Sequence, residues 1–354
     1  MLKNLLSLSL LSFFAINSYS QDWNQVIKGV ASDRAAGDKF GTSVAVFGNY
    51  AVVGAPGANA AYVFKNISGT WAQTQILSTN VTRTEFGIKV AIYENYIVIG
   101  SNDNPTSEDL GFSEYSDSSY VYVFKNIAET WTEIKRLEGS DIQINDRFGS
   151  SLDIYGEYIV VGAMKDADID GLDIIQNSGS AYVFQNNGDS WTEVQKITAS
   201  DRSIEHQFGN SVSISGDYLV VGDKDYYRDP NIIEHVVLGA GSIYIFKNSN
   251  GVWTEQQKLI GSDVVSGDSF GCSVSIDKEN VIVGAKQQSS DLNGLNPLIN
   301  AGAVYVFKNT NDVWSEVQKI TASDRNIDKY FGASVSIDNE YFVVGSVFHD
   351  NYFY

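Results

Sequence analysis

An all-β ring of four-stranded blades is the architecture expected of this chain, on three grounds. First, WTEVQKITASDRSIEHQFGNSVSISGDYLVVG at 191–222 returns almost letter for letter at 314–345 as WSEVQKITASDRNIDKYFGASVSIDNEYFVVG. Second, looser copies begin at Trp23, Trp71, Trp131 and Trp253, so all six tryptophans fall 48, 60, 60, 62 and 61 residues apart. Third, each copy has Phe-Gly at one place: Phe40-Gly41, Phe86-Gly87, Phe148-Gly149, Phe208-Gly209, Phe270-Gly271 and Phe331-Gly332. A period this long marks units that cover one another's apolar faces.

The chain opens with MLKNLLSLSLLSFFAINSYS, one lysine before an apolar run from Leu5 to Ile16, then small residues at Ser18 and Ser20. This pattern predicts a secretory signal peptide over 1–20, cut before Gln21. The run is short for a membrane span. Residues 21–354 are then expected to form a single domain.

Each copy contains four strand signals. WTEVQKI (191–197) mixes apolar and charged residues, which suits an outer strand. TASDR turns, since Asp201 can bond its own following backbone. After Phe208-Gly209, SVSIS alternates Val212 and Ile214 with serines, the period of a strand. Its small side suits close packing near an axis. Gly216-Asp217 gives a two-residue hairpin, as do Gly48-Asn49, Gly156-Glu157 and, without glycine, Glu94-Asn95. YLVVG and, beyond a variable loop, SIYIFKN are apolar on both faces, so both are expected to be covered on two sides. The next tryptophan segment supplies the fourth strand. Such a blade cannot bury its two faces alone, which favours a β-propeller over a β-helix.

Composition narrows the function. The 354 residues carry 24 basic and 43 acidic side chains, net -19. That balance argues against nucleic acid, which needs a basic face, and against anionic lipid. A lone cysteine, Cys272, cannot form an internal disulfide and reads as a small buried filler.

Phe-Gly followed about 14 residues later by Gly54-Ala55-Pro56, Gly162-Ala163 or Gly284-Ala285 resembles the FG-GAP repeat. The resemblance covers nearly all of the mature chain. It is similar to the bacterial exported branch with KITASDR before Phe-Gly, and more distantly to the integrin α-subunit propeller. It implies a β-propeller and a secreted or surface role, mostly adhesion without chemistry. Two endings of the ring stand open. In the favoured one six blades close, with NYFY (351–354) as a third strand and the Trp23 segment as the missing fourth. In the other a seven-bladed ring is cut short.

Among candidate sites, Asp166-Ala-Asp168-Ile-Asp170-Gly171-Leu-Asp173 places carboxylates at alternate positions before a glycine, a pattern suited to Ca2+. The family's DxDxDGxxD loop is similar, but it precedes the Val-Val-Gly-Ala-Pro-like strand; here it follows Val160-Val161-Gly162. Its last aspartate also arrives one residue early, with Ile174 in the expected place. A solvated acidic loop is the competing reading. Long loops at 101–119, 223–241 and 286–302 all join second and third strands, and so emerge on one face. Tyr226, Tyr227 and Arg228 there are suited to contact a partner. The recurring aspartates Asp33, Asp141, Asp201, Asp263 and Asp324 suggest a shared turn role, because site chemistry breaks repeat symmetry. The three histidines, His206, His235 and His349, sit in unrelated contexts, and no HExxH, GxSxG, P-loop or paired-cysteine motif occurs.

These features lead to an exported, non-enzymatic β-propeller whose loops bind a protein or a glycan, as a monomer or as part of a surface assembly, with no membrane insertion. A polysaccharide hydrolase or lyase with an acidic pair at the ring mouth is the alternative. A structural module of a surface assembly is a third.

Overall fold

In the computed structural model the chain forms the expected β-propeller, blade after blade. The structure describes residues 28–79, 85–101, 119–143, 145–170, 173–224, 226–228, 236–294, 297–339 and 341–347, with the backbone alone at 168–170, 173–174, 226–228 and 236–238. The leader expected at 1–20, the strands expected at Trp23 and at NYFY, and most of the loop 101–119 lie outside the described residues.

Blade 1 comprises Ser43–Phe47, Tyr50–Ala55, Ala60–Ile67 and Thr70–Ser78; blade 2 comprises Lys89–Tyr93, Tyr96–Gly100, Val121–Ile127 and Thr130–Leu137. Blade 3 comprises Phe148–Tyr155, Tyr158–Ala163, Ser180–Asn187 and Ser190–Ile197; blade 4 comprises Ser211–Ser215, Tyr218–Asp223, Ser242–Ser249 and Val252–Leu259. Blade 5 comprises Phe270–Asp277, Asn280–Ala285, Ala303–Thr310 and Val313–Ile320, and blade 6 shows Ser334–Asp338 and Tyr341–Gly345. All pairings are antiparallel. The first strand of each blade packs on the first strand of the next, so first strands lie innermost. Each sequence copy thus straddles two blades: its tryptophan strand is the outer strand of one, and its Phe-Gly opens the next.

Local chemistry sets these elements. The hairpin between first and second strands turns through Gly156 or Gly216 at φ 57°, and Glu94 and Lys278 take nearly the same angle without glycine. Between third and outer strands both turn residues have positive φ, as at Gly188 and Asp189, the hairpin geometry that matches strand twist. The repeated Phe-Gly and Gly-Ala motifs meet between blades. A Cβ on Gly162 would stand 2.0 Å from the carbonyl oxygen of Gly209, and one on Gly222 would stand 2.3 Å from that of Gly271. Only glycine permits that approach.

The core lies between blades. Val220 of blade 4 joins Val274, Ile276 and Trp314 of blade 5 in one apolar cluster, and Val160 of blade 3 joins Val212 and Ile214 of blade 4 in another. Full burial of such side chains contributes about 1.5–3 kcal/mol each. Phe148, Phe208 and Phe270 each sit edge-on to a third-strand tyrosine at 5.3–5.5 Å. Inner-strand serines sew the axis. Ser151, Ser211 and Ser273 donate their hydroxyls to the carbonyls of Gly209, Gly271 and Gly332 in the following blade, at 2.6–2.8 Å. This is the role of the small face read in SVSIS.

Among the described residues two faces lack such cover. Val44 and Val46 of blade 1 are each 65% exposed, against 7% and 3% for Val212 and Ile214 at the same places in blade 4. Val343 of blade 6 is 71% exposed, against 0% for Val220.

Candidate binding face

The blades have two unlike ends. At one, every described connection is a two-residue hairpin. At the other stand the Phe-Gly turns, the aspartate turns between blades and the links from second to third strands. Blade 1 makes its link with the single turn Pro56–Ala58 and Asn59. In blade 3 the link rises into a hairpin, Asp168–Asp170 against Asp173–Ile175, in register Asp168↔Ile175, Ile169↔Ile174 and Asp170↔Asp173. Blade 4 raises another, Tyr226–Arg228 against Val236–Leu238, in register Tyr226↔Leu238, Tyr227↔Val237 and Arg228↔Val236. Tyr226, Tyr227 and Arg228 therefore stand together on one strand of a projecting ribbon. The link in blade 5 is built of turns, with Leu298 N donating to the Ser289 carbonyl at 2.8 Å.

Beneath these links blades 3, 4 and 5 each have a polar pocket. In blade 3 the Tyr182 hydroxyl lies 2.7 Å from Asp141 Oδ1 and 3.2 Å from Asp166 Oδ2. Lys196 Nζ reaches Asp141 at 2.6 Å and Asp166 at 2.7 Å, and Ser180 Oγ donates to Asp166 at 2.5 Å. Blade 4 repeats the set: Tyr244 on Asp201 at 2.6 Å, Lys258 on Asp201 at 2.7 Å, and Asp223 with His206 Nδ1 at 3.2 Å. In blade 5 Tyr305 and Lys319 meet Asp263 at 2.7 and 2.6 Å, and Gln288 Nε2 donates to Tyr305 at 3.1 Å and to Asp268 at 2.9 Å. Each lysine also stands 5.0–5.6 Å from the centre of the tyrosine ring. The turn aspartates Asp141, Asp201 and Asp263 thus share one role, tying a turn to the third and outer strands.

The charges follow this geometry. Burial alone would raise the Asp141 carboxyl, but Lys196 and Tyr182 outweigh it and hold the group below the usual range. Asp201 is lowered in the same way by Lys258 and Tyr244. Burial pushes Asp146 and Asp268 up to about 6, although each caps its own turn, accepting from Gln143 N and Val265 N. Tyr182, Tyr244 and Tyr305 are pushed up by burial and by the carboxylates they face.

Of the four aspartates of the calcium pattern, the side chain of Asp166 alone is described. Asp166 is 3% exposed and turned into the blade, its carboxylate held by Ser180, Tyr182 and Lys196. Asp168, Asp170 and Asp173 stand on paired strands of an extended ribbon. Among the described residues no three His, Cys, Asp or Glu side chains gather as a metal cage; the side chains at 168–174 are outside that statement. Asp166 is the counterpart of Gln288, since Gly179 N donates to the Asp166 carbonyl as Gly302 N does to that of Gln288. Sequence reading passed over the lysines. Their signal is simple: Lys196, Lys258 and Lys319 each fall five residues after a tryptophan.

A cavity of about 610 Å³ opens between the outer strands of blades 3 and 4, beside Ile175 of the first hairpin. Its polar wall is internally paired: Ser200 N and Oγ donate to Glu255 at 3.0 and 2.8 Å, and Gln195 exchanges two hydrogen bonds with the Trp253 backbone. The Cys272 thiol, raised by burial, lies 3.5 Å from the Gly284 carbonyl. Among the described residues no helix is long and apolar enough to cross a membrane.

The family model for the FG-GAP repeat matches residues 23–64, 131–184, 191–246, 253–307 and 314–352. No curated protein matches the sequence. Among solved structures, a Bacteroides fragilis protein described as a 6-phosphogluconolactonase superposes with a TM-score of 0.49 at 12% identity, over 80% of this chain and 70% of that one.

Proposed function

The chain belongs to the FG-GAP repeat family, and from that premise we propose that it is an exported, non-enzymatic β-propeller that binds a protein or a glycan through its loop face. One observation carries this reading. Beneath the second-to-third links the tyrosine–aspartate–lysine set repeats in blades 3, 4 and 5, whereas the links themselves differ: a turn, two unlike hairpins and a turn-built loop. Variation confined to one end, on a rigid base, is how scaffolds present binding residues. Tyr226, Tyr227 and Arg228 supply aromatic and guanidinium groups of the kind that dominate recognition. Export follows from the leader pattern at 1–20.

Asp146 and Asp268, whose carboxyls burial pushes up to about 6, are 6% and 3% exposed and are engaged as turn caps. That supports a reading without chemistry over the hydrolase or lyase alternative. Calcium, on this reading, is an accessory of the face, held by Asp168, Asp170 and Asp173 without Asp166.

The test replaces residues 167–176 and 225–238 each by a short glycine–asparagine link, which leaves Asp166, Ser180 and Asp223 in place. We expect the melting temperature to hold within a few degrees, binding on a glycan array or to surface proteins to fall by at least about tenfold, and calorimetric calcium uptake to vanish. Unchanged binding would place the contact elsewhere, and equal calcium heats would remove the metal from the hairpin. Cleavage of a polysaccharide by the native chain would favour the enzyme, and binding to no partner would leave the structural module.

A further inference from the structure

We propose that the hairpin end of the propeller carries a second recognition site at its inner rim, where the rings of Phe47, Tyr93 and Tyr155 receive the lysine or arginine side chains of a basic protein segment. The site lies opposite the loop face and is independent of what that face binds.

The three residues close the first strands of blades 1, 2 and 3. First-strand side chains of this parity face the following blade, as Ser151 and Ser211 do. In blades 4 and 5 the residue at this place is small and polar and caps the next hairpin. Ser215 Oγ accepts from Lys278 N at 3.2 Å, and Asp277 Oδ2 accepts from Asn339 N at 2.9 Å. Blades 1 to 3 have rings there instead, and phenylalanine accepts nothing. The hairpins keep their length; only the side chain has changed. Each ring leans on the next: Phe47 and Tyr93 stand 5.0 Å apart at 49°, Tyr93 and Tyr155 4.9 Å apart at 45°. Rings inclined in this way leave part of their faces open, and Phe47 and Tyr155 are 39% and 37% exposed. Adjoining aromatic side chains left open on a rim mark a contact surface.

The chain itself shows what such rings take. One step outward, on the second strands, Tyr50, Tyr96 and Tyr218 each have a lysine 5.5–5.7 Å from the ring centre. Those lysines, Lys65, Lys125 and Lys247, are held at 2.5–2.7 Å by Glu129, Asp189 and Asp312 of the adjoining blade. The inner rim repeats the ring and the carboxylate and omits the cation. Glu94 and Glu157 are exposed on the hairpins that follow Tyr93 and Tyr155. Among the described residues no lysine or arginine stands over the three rings. Lys278, the cation of this layer, is engaged elsewhere, with Asn339 at 2.5 Å and Asp277 at 3.9 Å. Burial pushes the Tyr93 hydroxyl up, and Tyr155 and Glu94 add to it; the negative field of Glu94 favours a cation at the same place. A cation over an aromatic face is drawn by the ring quadrupole, and the net charge of -19 steers basic partners toward the chain. Three rings on three blades exceed what one small cation needs and suit a segment with several basic side chains.

The experiment follows a fluorescein-labelled hexalysine peptide on the full chain by anisotropy, at about 0.15 M salt. Tyr93→Leu and Tyr155→Leu keep the net charge and should each weaken binding about three- to fivefold, whereas Tyr93→Phe keeps the ring face and should not. If Tyr93→Leu melts early, the more open Tyr155→Leu carries the test. Glu94→Gln should weaken binding about twofold, and Glu138→Gln, an exposed carboxylate on the loop side, should leave it unchanged. Equal losses from the two glutamine variants with none from the leucines would mean general attraction to an acidic protein and overturn the site. A neutral oligosaccharide that binds where the peptide does not, and is lost with Tyr155→Leu, would make the rim a sugar shelf and overturn it too. Replacing the links 167–176 and 225–238 should leave the peptide bound; its loss there would give the peptide to the loop face instead.

Discussion

The two ends of each blade are built from the same strands, yet they tolerate change differently. At the plain end the turns join neighbouring blades. Lys125 pairs with Asp189 of the next blade at 2.5 Å, Lys247 with Asp312 at 2.7 Å, and Tyr96 donates to Asp189 at 2.5 Å. A turn that must deliver a carboxylate to its neighbour cannot vary in length. At the loop end the joining contacts lie one layer lower, in the pockets of Asp141, Asp201 and Asp263. The links above them join the next blade mainly through their closing residues, Gln176, Asn177 and Ser178 to the turn at 205–208 and Ile299, Asn300 and Ala301 to the turn at 328–331, and ahead of those residues blades 3 and 4 insert hairpins. Freedom to vary is therefore set by which residues carry the inter-blade contacts, not by exposure alone.

The sharpest way to break this contrast lies under both ends, where second strands meet the next Phe-Gly. Gly222→Ala places a Cβ 2.3 Å from the Gly271 carbonyl and 2.2 Å from Ser211 Oγ. We expect a loss of about 3 kcal/mol or failure to fold, measured by urea denaturation. A loss below about 1 kcal/mol would mean that the blades can slide apart there without penalty.

Next comes a comparison of the ends themselves. Tyr244→Phe removes the hydroxyl that faces Asp201 and the fully buried Asp223. It should cost about 1–3 kcal/mol. Lys247→Met removes a partly exposed ion pair at the plain end, which solvent screens, so its loss should be the smaller of the two. The reverse ranking in chemical denaturation would show that the plain end carries the assembly.

The smallest effect is in pH. A carboxyl that ionises near 4 when unfolded and at about 6 when folded, as at Asp146 and Asp268, binds its proton more tightly in the fold. Stability is then gained as pH falls from about 6 toward 4, and forfeited as pH rises through about 6. The melting temperature should rise modestly from pH 7 to pH 5, and Asp146→Asn with Asp268→Asn should flatten that rise. Below pH 4 the lowered Asp141 and Asp201 act in the opposite sense.

The blade was legible in the sequence because its determinants repeat. Phe-Gly and the glycine that ends the second strand recur with a fixed offset, and they mark the close approach made between successive blades. The offset between sequence copy and blade was legible too, from the outer-strand character of the tryptophan segment. Asp166 was not. Its spacing to Asp168 and Asp170 suggests one loop around one ion, whereas its partners are Ser180, Tyr182 and Lys196, up to 30 residues later in the chain. Its equivalent in blade 5 is a glutamine, and in blade 4 the buried carboxylate Asp223 stands elsewhere in the link. A role that different residue types fill from different positions leaves no periodic trace.

The straddling of copies across blades bears on how such chains lengthen. Duplicating one 60-odd-residue unit delivers an outer strand to the blade before it and three strands to a blade of its own, so both new seams inherit a fit that already existed. Recombination within the coding sequence can then add or drop a unit without inventing an interface, and the near-identity of 191–222 with 314–345 is what a recent copy of this kind would leave behind.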